Sequence, residues 1–141
     1  MMNIKTIFCI PLLLLMSNCK TQTSSKTETS IVNNNTVTIG LDKQVKIPNS
    51  KVSLQFKEVV EESRCPVDVT CVWEGIAIVN VEAISGSEKM DFKVATRDFL
   101  PKNVTKSFSF SGYKFTLTEL KPQPGGKEEP TTVSFKYKKE N

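Results

Sequence analysis

Two cysteines and the charged residues around them carry most of the chemistry that this sequence offers. The stretch 61–75 reads EESRCPVDVTCVWEG and contains Cys65, Cys71, the only tryptophan and one of the two arginines. Five residues separate the thiols, and a turn of that length readily brings two Cα atoms to about 5.5 Å, as a disulfide requires. A zinc site or a redox dithiol is the alternative. Zinc needs further Cys or His ligands and the chain has no histidine, while a redox pair normally has Cys-x-x-Cys spacing at the start of a helix. We therefore predict a Cys65–Cys71 disulfide.

Several carboxylates near the cysteines are candidates for acid–base or calcium chemistry. They are Glu58, Glu61, Glu62, Asp68 and Glu74. A glycosidase-like pair or a calcium site would need such groups, but the Asp-x-Asp-x-Asp-Gly loop is absent and carboxylates at strand ends are usually solvated. Without histidine, a Ser-His-Asp or Cys-His system is excluded. The sequence predicts no catalytic residue, no metal site and no cofactor.

The residues between and beside the cysteines form a candidate recognition loop. We expect Arg64, Val67 and Asp68 to be exposed at its tip, with an ion pair between Arg64 and a neighbouring carboxylate as the alternative for that residue. Trp73 follows Cys71 by two positions, so in an extended strand both side chains point to one face. Trp73 is predicted to be a core anchor, and an exposed aromatic contact is the alternative.

The run Ser63-Arg64-Cys65-Pro66, four residues, then Cys71-x-Trp73-x-Gly75-x-Ala77 closely resembles a motif of a family of small lipoproteins from Gram-negative bacteria. The stretch from Gly112-Tyr113 to Pro122-x-Pro124 is similar to their C-terminal half, so the likeness covers most of residues 37–138. This resemblance implies a lipoprotein, and it implies no activity, substrate or binding residue.

The N-terminus has the features of an export signal. Lys5 precedes the apolar stretch Ile7–Met16, whose ten residues are too few to span a bilayer as a helix. The sequence Met-Ser-Asn-Cys that ends at Cys19 resembles the lipobox, at which bacterial signal peptidase cleaves before a cysteine that becomes acylated. We predict a signal peptide over 1–18 and lipidation of Cys19; the alternative is an ordinary secretory signal.

The predicted anchor is followed by a short polar tether. Residues 20–35 are rich in Ser, Thr, Asn and Lys, a composition typical of a flexible linker. Lys20 follows Cys19, and the resemblance to lipoproteins that have no aspartate at this position implies export to the outer membrane. The membrane, through the lipid, is therefore one predicted partner, and the anchor predicts a protein held on the outer membrane.

The charge of the chain gives little indication of a further partner. The net charge of +4 is mild, and the lysines are not clustered with aromatics as in nucleic-acid-binding proteins, so no nucleic-acid partner is predicted. Lys136, Lys138 and Lys139 are interpreted as a solvated strand face, with an anionic-lipid contact as the alternative.

Apolar residues alternate with polar ones along most of the remaining chain. The pattern is clear in Val52, Leu54 and Phe56, shifts phase at Val59-Val60 as at a β-bulge, and returns over 71–83, which reads as a central strand. Seven or eight such segments predict one all-β domain over 36–138, with 139–141 as a tail. We expect an antiparallel β-sandwich, with a small β-barrel as the alternative.

These features predict a membrane-anchored protein of the cell envelope that acts as a binding or interaction module for an unknown protein or envelope component. Loops at the ends of sandwiches commonly serve this purpose. The alternatives are a structural or assembly accessory of the envelope and a protease-inhibitor-like module. An enzyme is not predicted.

Overall fold

The structure, a computed structural model, describes residues 32–141, which form two antiparallel sheets packed face to face. The predicted signal peptide, Cys19 and most of the predicted tether lie outside the described residues. The five-stranded sheet has the order β1 (Val32–Asn33), β2 (Thr36–Gly40), β9 (Thr132–Lys139), β8 (Tyr113–Lys121) and β7 (Ser107–Phe110). The four-stranded sheet has the order β3 (Gln44–Lys46), β4 (Val52–Glu62), β5 (Ala77–Ser85) and β6 (Glu88–Ala95). The predicted all-β sandwich is confirmed.

The described strands extend slightly beyond the predicted domain boundaries, 36 and 138, at both ends. The predicted start of the domain at residue 36 is also the start of β2, and the two-residue strand β1 precedes it. The last strand ends at Lys139, one residue beyond the predicted end. The described residues contain one short 3-10 turn, Leu100–Lys102, and no helix long and apolar enough to cross a membrane.

The core lies between the sheets because alternate residues of each strand point inward. Phe56, Phe115 and Phe135 are fully buried. Phe92 stacks on Phe108 with ring centroids 4.3 Å apart, and Phe108 stacks on Phe115 at 5.1 Å, so aromatic contacts join the two sheets. The alternation in the sequence thus determined which faces pack together.

Strand β4 contains the predicted irregularity. Its register against β5 shifts twice, between Phe56 and Glu58 and again between Val59 and Glu61. Such bulges bend a strand and increase its twist. They redirect the end of β4 at the loop that contains both cysteines.

Two strands are short at the edges of the sheets: β1 has two residues and β3 has three. The third edge, β7, has four residues. The fourth, β6, is longer and carries the charged residues Lys89, Asp91 and Lys93.

Candidate functional site

The loop between β4 and β5 is closed into a ring by a disulfide between Cys65 and Cys71, whose Cα atoms lie 6.0 Å apart. The predicted pairing is present. The β4–β5 ladder continues into the loop, since the Ser63 amide donates to the Ile76 carbonyl at 2.8 Å and the Cys65 amide donates to the Glu74 carbonyl at 2.9 Å. The ring is therefore supported by the disulfide and by the sheet.

Gly75 makes this close pairing of the two chain segments possible. Its φ is +72°, and a Cβ atom at this position would stand 1.9 Å from the Ser63 carbonyl oxygen. The left-handed conformation is unfavourable for residues with a Cβ atom, and the contact leaves no room for one. The motif therefore needs glycine at this position for two independent reasons.

Arg64 is not exposed at the loop tip, so that prediction was wrong. Only 10% of its side chain is accessible. The guanidinium donates a hydrogen bond to each oxygen of the Glu62 carboxylate, at 2.8 and 2.5 Å. It also donates to the backbone carbonyls of Leu120 (2.7 Å) and Pro122 (2.8 Å). A guanidinium has five N–H groups in a planar fork, which suits several acceptors at once. The alternative prediction, an ion pair with a neighbouring carboxylate, is confirmed.

Val67 and Asp68 lie on the outside of the ring, as expected. Val67 is 63% exposed, while its amide donates to the Pro124 carbonyl at 3.0 Å. Gly125 approaches Asp68 so closely that a Cβ atom there would stand 2.6 Å from the Asp68 carboxylate oxygen. The ring thus rests on the Pro- and Gly-rich loop after β8, and its outer side chains remain accessible.

Trp73 is not a core anchor, because 49% of it is exposed. The predicted strand over 71–83 begins only at Ala77, so the alternation that would have turned Trp73 inward does not extend to it. β5 is nevertheless the central strand that was predicted, since it lies between β4 and β6. The indole contacts Phe99, with ring centroids 5.7 Å apart, and the Arg97 guanidinium, 5.7 Å from the ring centre.

Phe99 connects Trp73 to a small second core on the outer side of the four-stranded sheet. This core contains Ile76, Ile78, Ala95 and Val104, with Phe99 packed against it. The β6–β7 connection supplies Phe99 and Val104, and so covers the start of β5. This explains the apolar outer face that the sequence shows at Ile76 and Ile78.

Exposed apolar side chains are concentrated at this end of the molecule. We define the apolar rim as Val67, Val69, Val72, Trp73 and Leu100. Eight large apolar side chains are exposed among the described residues, and five of them belong to this rim. Val72 is fully exposed and Leu100 is 89% exposed, so these side chains contribute nothing to the core.

Three of the nearby carboxylates have basic partners. Glu62 pairs with Arg64, Glu74 lies 3.5 Å from Arg97, and Glu61 accepts a hydrogen bond from Lys102. The hydrogen bond from Lys102 lowers the pKa of the Glu61 carboxyl below its ordinary value. In residues 32–141 no group of three or more Cys, Asp or Glu side chains is arranged to hold a metal ion.

Arg64 contributes to the lining of two open cavities. One, of about 290 Å³, is lined by Arg64, Thr96 and Glu119 among others; the second, of about 300 Å³, lies against Val59, Pro122 and Pro124. The Arg64 guanidinium donates its hydrogen bonds to Glu62, Leu120 and Pro122 of the protein itself. Arg64 is therefore a structural contact between the loop after β4 and the end of β8, which we call the Arg64 clasp.

The sequence did not indicate Phe99, Leu100 or the acceptors of Arg64. Apart from Glu62, which was foreseen, those acceptors lie 56 to 59 residues away along the chain, and periodicity within a segment contains no information about such pairs. Comparison with known protein families, curated proteins and solved structures found no match. The fold and the site define an all-β sandwich with a disulfide-closed loop and an exposed apolar rim at one end.

Proposed function

We propose that the protein is a lipid-anchored component of the cell envelope that binds a partner protein through the apolar rim. The observation that carries this proposal is the concentration of exposed apolar side chains on the disulfide ring (Val67 and Val69), directly after it (Val72 and Trp73) and beside Phe99, the aromatic neighbour of Trp73 (Leu100). Isolated exposed apolar residues are ordinary, whereas a contiguous group of them marks an interaction surface. Trp73 is suited to be the central contact, because tryptophan is enriched among residues that dominate binding energy.

The way in which the ring is held lowers the cost of binding. The disulfide, the Arg64 clasp and the contact between Val67 and Pro124 fix the backbone before any partner arrives. A preorganised loop loses less conformational entropy on association. The Arg97 guanidinium lies against the Trp73 ring and Glu74 lies 3.5 Å from Arg97, so charged side chains border Trp73 as in the polar margin of protein interfaces.

Site-specific photo-crosslinking in intact cells tests this surface. A photoreactive residue at position 72 should give a discrete product with one partner protein, and Trp73→Ala should abolish it. The matched control position is Met90, which is 48% exposed but lies on β6 away from the ring. The same products from positions 72 and 90, or none from position 72, would contradict the proposal.

The loss of crosslinking must not result from unfolding. Because Trp73 is half exposed, we expect Trp73→Ala to reduce the free energy of unfolding by about 1 to 2 kcal/mol, less than the 3 to 5 kcal/mol for a buried aromatic residue. Denaturant titration measures this difference, with Phe56→Ala as the core control. If Trp73→Ala and Phe56→Ala reduced the free energy of unfolding equally, Trp73 would be a core residue rather than a binding contact.

The proposed anchor has its own test. Cys19→Ser should release the protein from the membrane fraction, and the intact mass of the wild-type protein should include acyl chains, because several acyl chains on one cysteine hold a protein stably on a membrane. A wild-type protein without acyl mass, together with a variant that still sediments with membranes, would refute the anchor without affecting the rim.

A further inference from the structure

The outer face of the five-stranded sheet carries three lysines that lie close together. Lys114 on β8 is directly opposite Lys138 on β9, and Lys136 is opposite Thr116 one row further along. Directly opposed residues point to the same face of a sheet, and like charges in this position destabilise the pair. The stability of the fold therefore does not explain the arrangement.

In the part of the chain that the structure describes, no carboxylate lies within ion-pair distance of these lysines, although Asp98 lines the same open cavity as Lys114. Among the described residues none of the three takes part in an ion pair. Glu140, at the margin of the face, accepts a hydrogen bond from the Ser109 hydroxyl at 3.0 Å, and Glu119, further along, lies 3.9 Å from Lys121. On the other sheet, by contrast, Lys57 pairs with Glu82 and Asp91.

The rest of this face consists largely of small hydroxyl side chains. By strand register they are Thr36, Thr38, Ser107, Ser109, Thr116 and Ser134. Serine and threonine hydroxyls both donate and accept hydrogen bonds, and their short side chains leave the lysine ammonium groups as the most extended groups on the face. A cationic, hydroxyl-rich sheet face spread over several strands can contact several phosphate groups at once.

The chain also enters the fold on this sheet. The edge strand β1 pairs with β2, and Thr36 on β2 lies directly opposite Lys136. Two strand spacings, roughly 10 Å, thus separate the entry point from the lysine-bearing strand β9. Cys19 lies thirteen positions before Val32, so a chain of that length spans at most about 45 Å in any conformation.

We propose that this basic face, formed by Lys114, Lys136 and Lys138, rests on an anionic phospholipid surface. Each lysine near such a surface improves affinity by about fivefold, so three together give about a hundredfold. That gain is weak for a protein free in solution. A lipid anchor nearby, however, raises the effective concentration of the lysine face at the membrane surface to the millimolar range. The basic face is separate from the apolar rim, and it depends on the proposed function only because the lipid anchor would hold the lysines near the membrane.

Lysine labelling of the exported, processed protein tests the face. The protein is mixed with vesicles of phosphatidylcholine alone or of equal parts phosphatidylcholine and phosphatidylglycerol, and an amine-reactive reagent is read at each lysine by mass spectrometry. We expect labelling of Lys114, Lys136 and Lys138 to slow severalfold on the anionic vesicles only. Concentrated salt should restore the free rate, because it screens surface charges.

Exposed lysines on β6 (Lys89 and Lys93) and in the turn before β4 (Lys51) are the internal control. Lys51, Lys89 and Lys93 should keep the same labelling rate on both kinds of vesicle. Equal slowing of both groups, or no slowing of either, overturns the proposal. Protection that appears in intact envelopes but not on anionic vesicles overturns the assignment to lipid and indicates an acidic macromolecule instead.

A pair of charge-matched variants completes the test. Lys114, Lys136 and Lys138 are changed to glutamine in one protein, and Lys51, Lys89 and Lys93 in the other, so both lose the same charge. Both are made with Cys19→Ser, so that no acyl chain dominates partition; only the first should partition about a hundredfold less onto the anionic vesicles than Cys19→Ser alone, and equal partition of the two overturns the proposal. The intact mass of the wild-type protein reports acylation of Cys19 separately, so failure of the anchor and failure of the basic face are distinguishable.

Discussion

The Arg64 guanidinium donates a hydrogen bond to the Leu120 backbone carbonyl at 2.7 Å. This bond connects the loop after β4 to the end of strand β8 in the opposite sheet. Leu120 is itself buried. A single side chain from the loop that joins β4 to β5 thus connects this loop to the other sheet at the end of the sandwich that carries the ring. The bidentate pair with Glu62 holds the guanidinium in the orientation that this contact requires.

Replacement of Arg64 should therefore destabilise the fold. Arg64→Ala leaves the Leu120 and Pro122 carbonyls and the Glu62 carboxylate without their donor, and we expect a loss of about 2 to 4 kcal/mol in the free energy of unfolding. The other arginine of the chain is the control. Arg97 is 41% exposed and its contact with Glu74 is 3.5 Å long, so Arg97→Ala should cost less than about 1 kcal/mol. Chemical denaturation measures both, and similar losses would show that Arg64 is no clasp.

Alanine variants of two glycines with similar backbone angles distinguish the cost of a left-handed conformation from the cost of a steric clash. Gly75 and Gly86 have φ values of +72° and +61°, but a Cβ atom would meet the Ser63 carbonyl at the first position and nothing within 4 Å at the second. Gly86→Ala should cost about 1 to 2 kcal/mol for the left-handed conformation alone. Gly75→Ala should cost at least 2 kcal/mol more, measured by thermal or denaturant unfolding. Equal costs would mean that the ring can move away from Gly75.

Loss of the disulfide should weaken the protein without preventing folding. The ring closed by Cys65 and Cys71 is short, and the loop-entropy relation gives about 2 to 3 kcal/mol for either cysteine changed to serine. The backbone bonds that join Ser63 and Cys65 to β5 remain in the variant. Alkylation of the native wild-type protein should find no free thiol at these positions, and complete unfolding of either variant would contradict this expectation.

The ion pair between Glu61 and Lys102 should make a pH-dependent contribution to stability. The hydrogen bond from Lys102 lowers the pKa of Glu61 in the folded protein from its ordinary value of 4.5. The charged form is favoured by folding, so the contribution is present above the unfolded pKa and is lost as the pH falls through the folded pKa. The Tm difference between wild type and Lys102→Ala should be positive at pH 7 and should disappear in strong acid. A difference that persists there would have a cause other than this carboxylate.

The alternation of apolar and polar residues was sufficient to predict the sandwich, but it did not predict the orientation of Trp73 beside the disulfide ring. Val52, Leu54 and Phe56 point inward as their spacing indicated, and the phase shift at Val59-Val60 coincides with the observed bulge. The same rule failed for Trp73, because the positive φ of Gly75 interrupts the strand that would have positioned it. Period-two patterns predict a face only where the backbone remains extended.

The contacts of Arg64 could not be predicted for a different reason. Its charge and the adjacent Glu62 indicated an ion pair, and that part was correct. The carbonyls of Leu120 and Pro122 carry no sequence signal, because every residue has a carbonyl group and only the packing of the two sheets brings these two close to Arg64. The disulfide was easier to predict, since both partners are rare residues close together in the chain.

The edges of the two sheets have a consequence for the proposed anchoring, which would concentrate copies of the protein on a membrane. A long free strand edge offers unpaired backbone groups to a neighbouring copy, and crowding promotes such pairing. Here β1, β3 and β7 have two, three and four residues, and the longer β6 carries charged side chains of both signs. Copies held side by side at high density therefore find no long uncharged edge on which to grow a continuous sheet, which protects the described domain against aggregation.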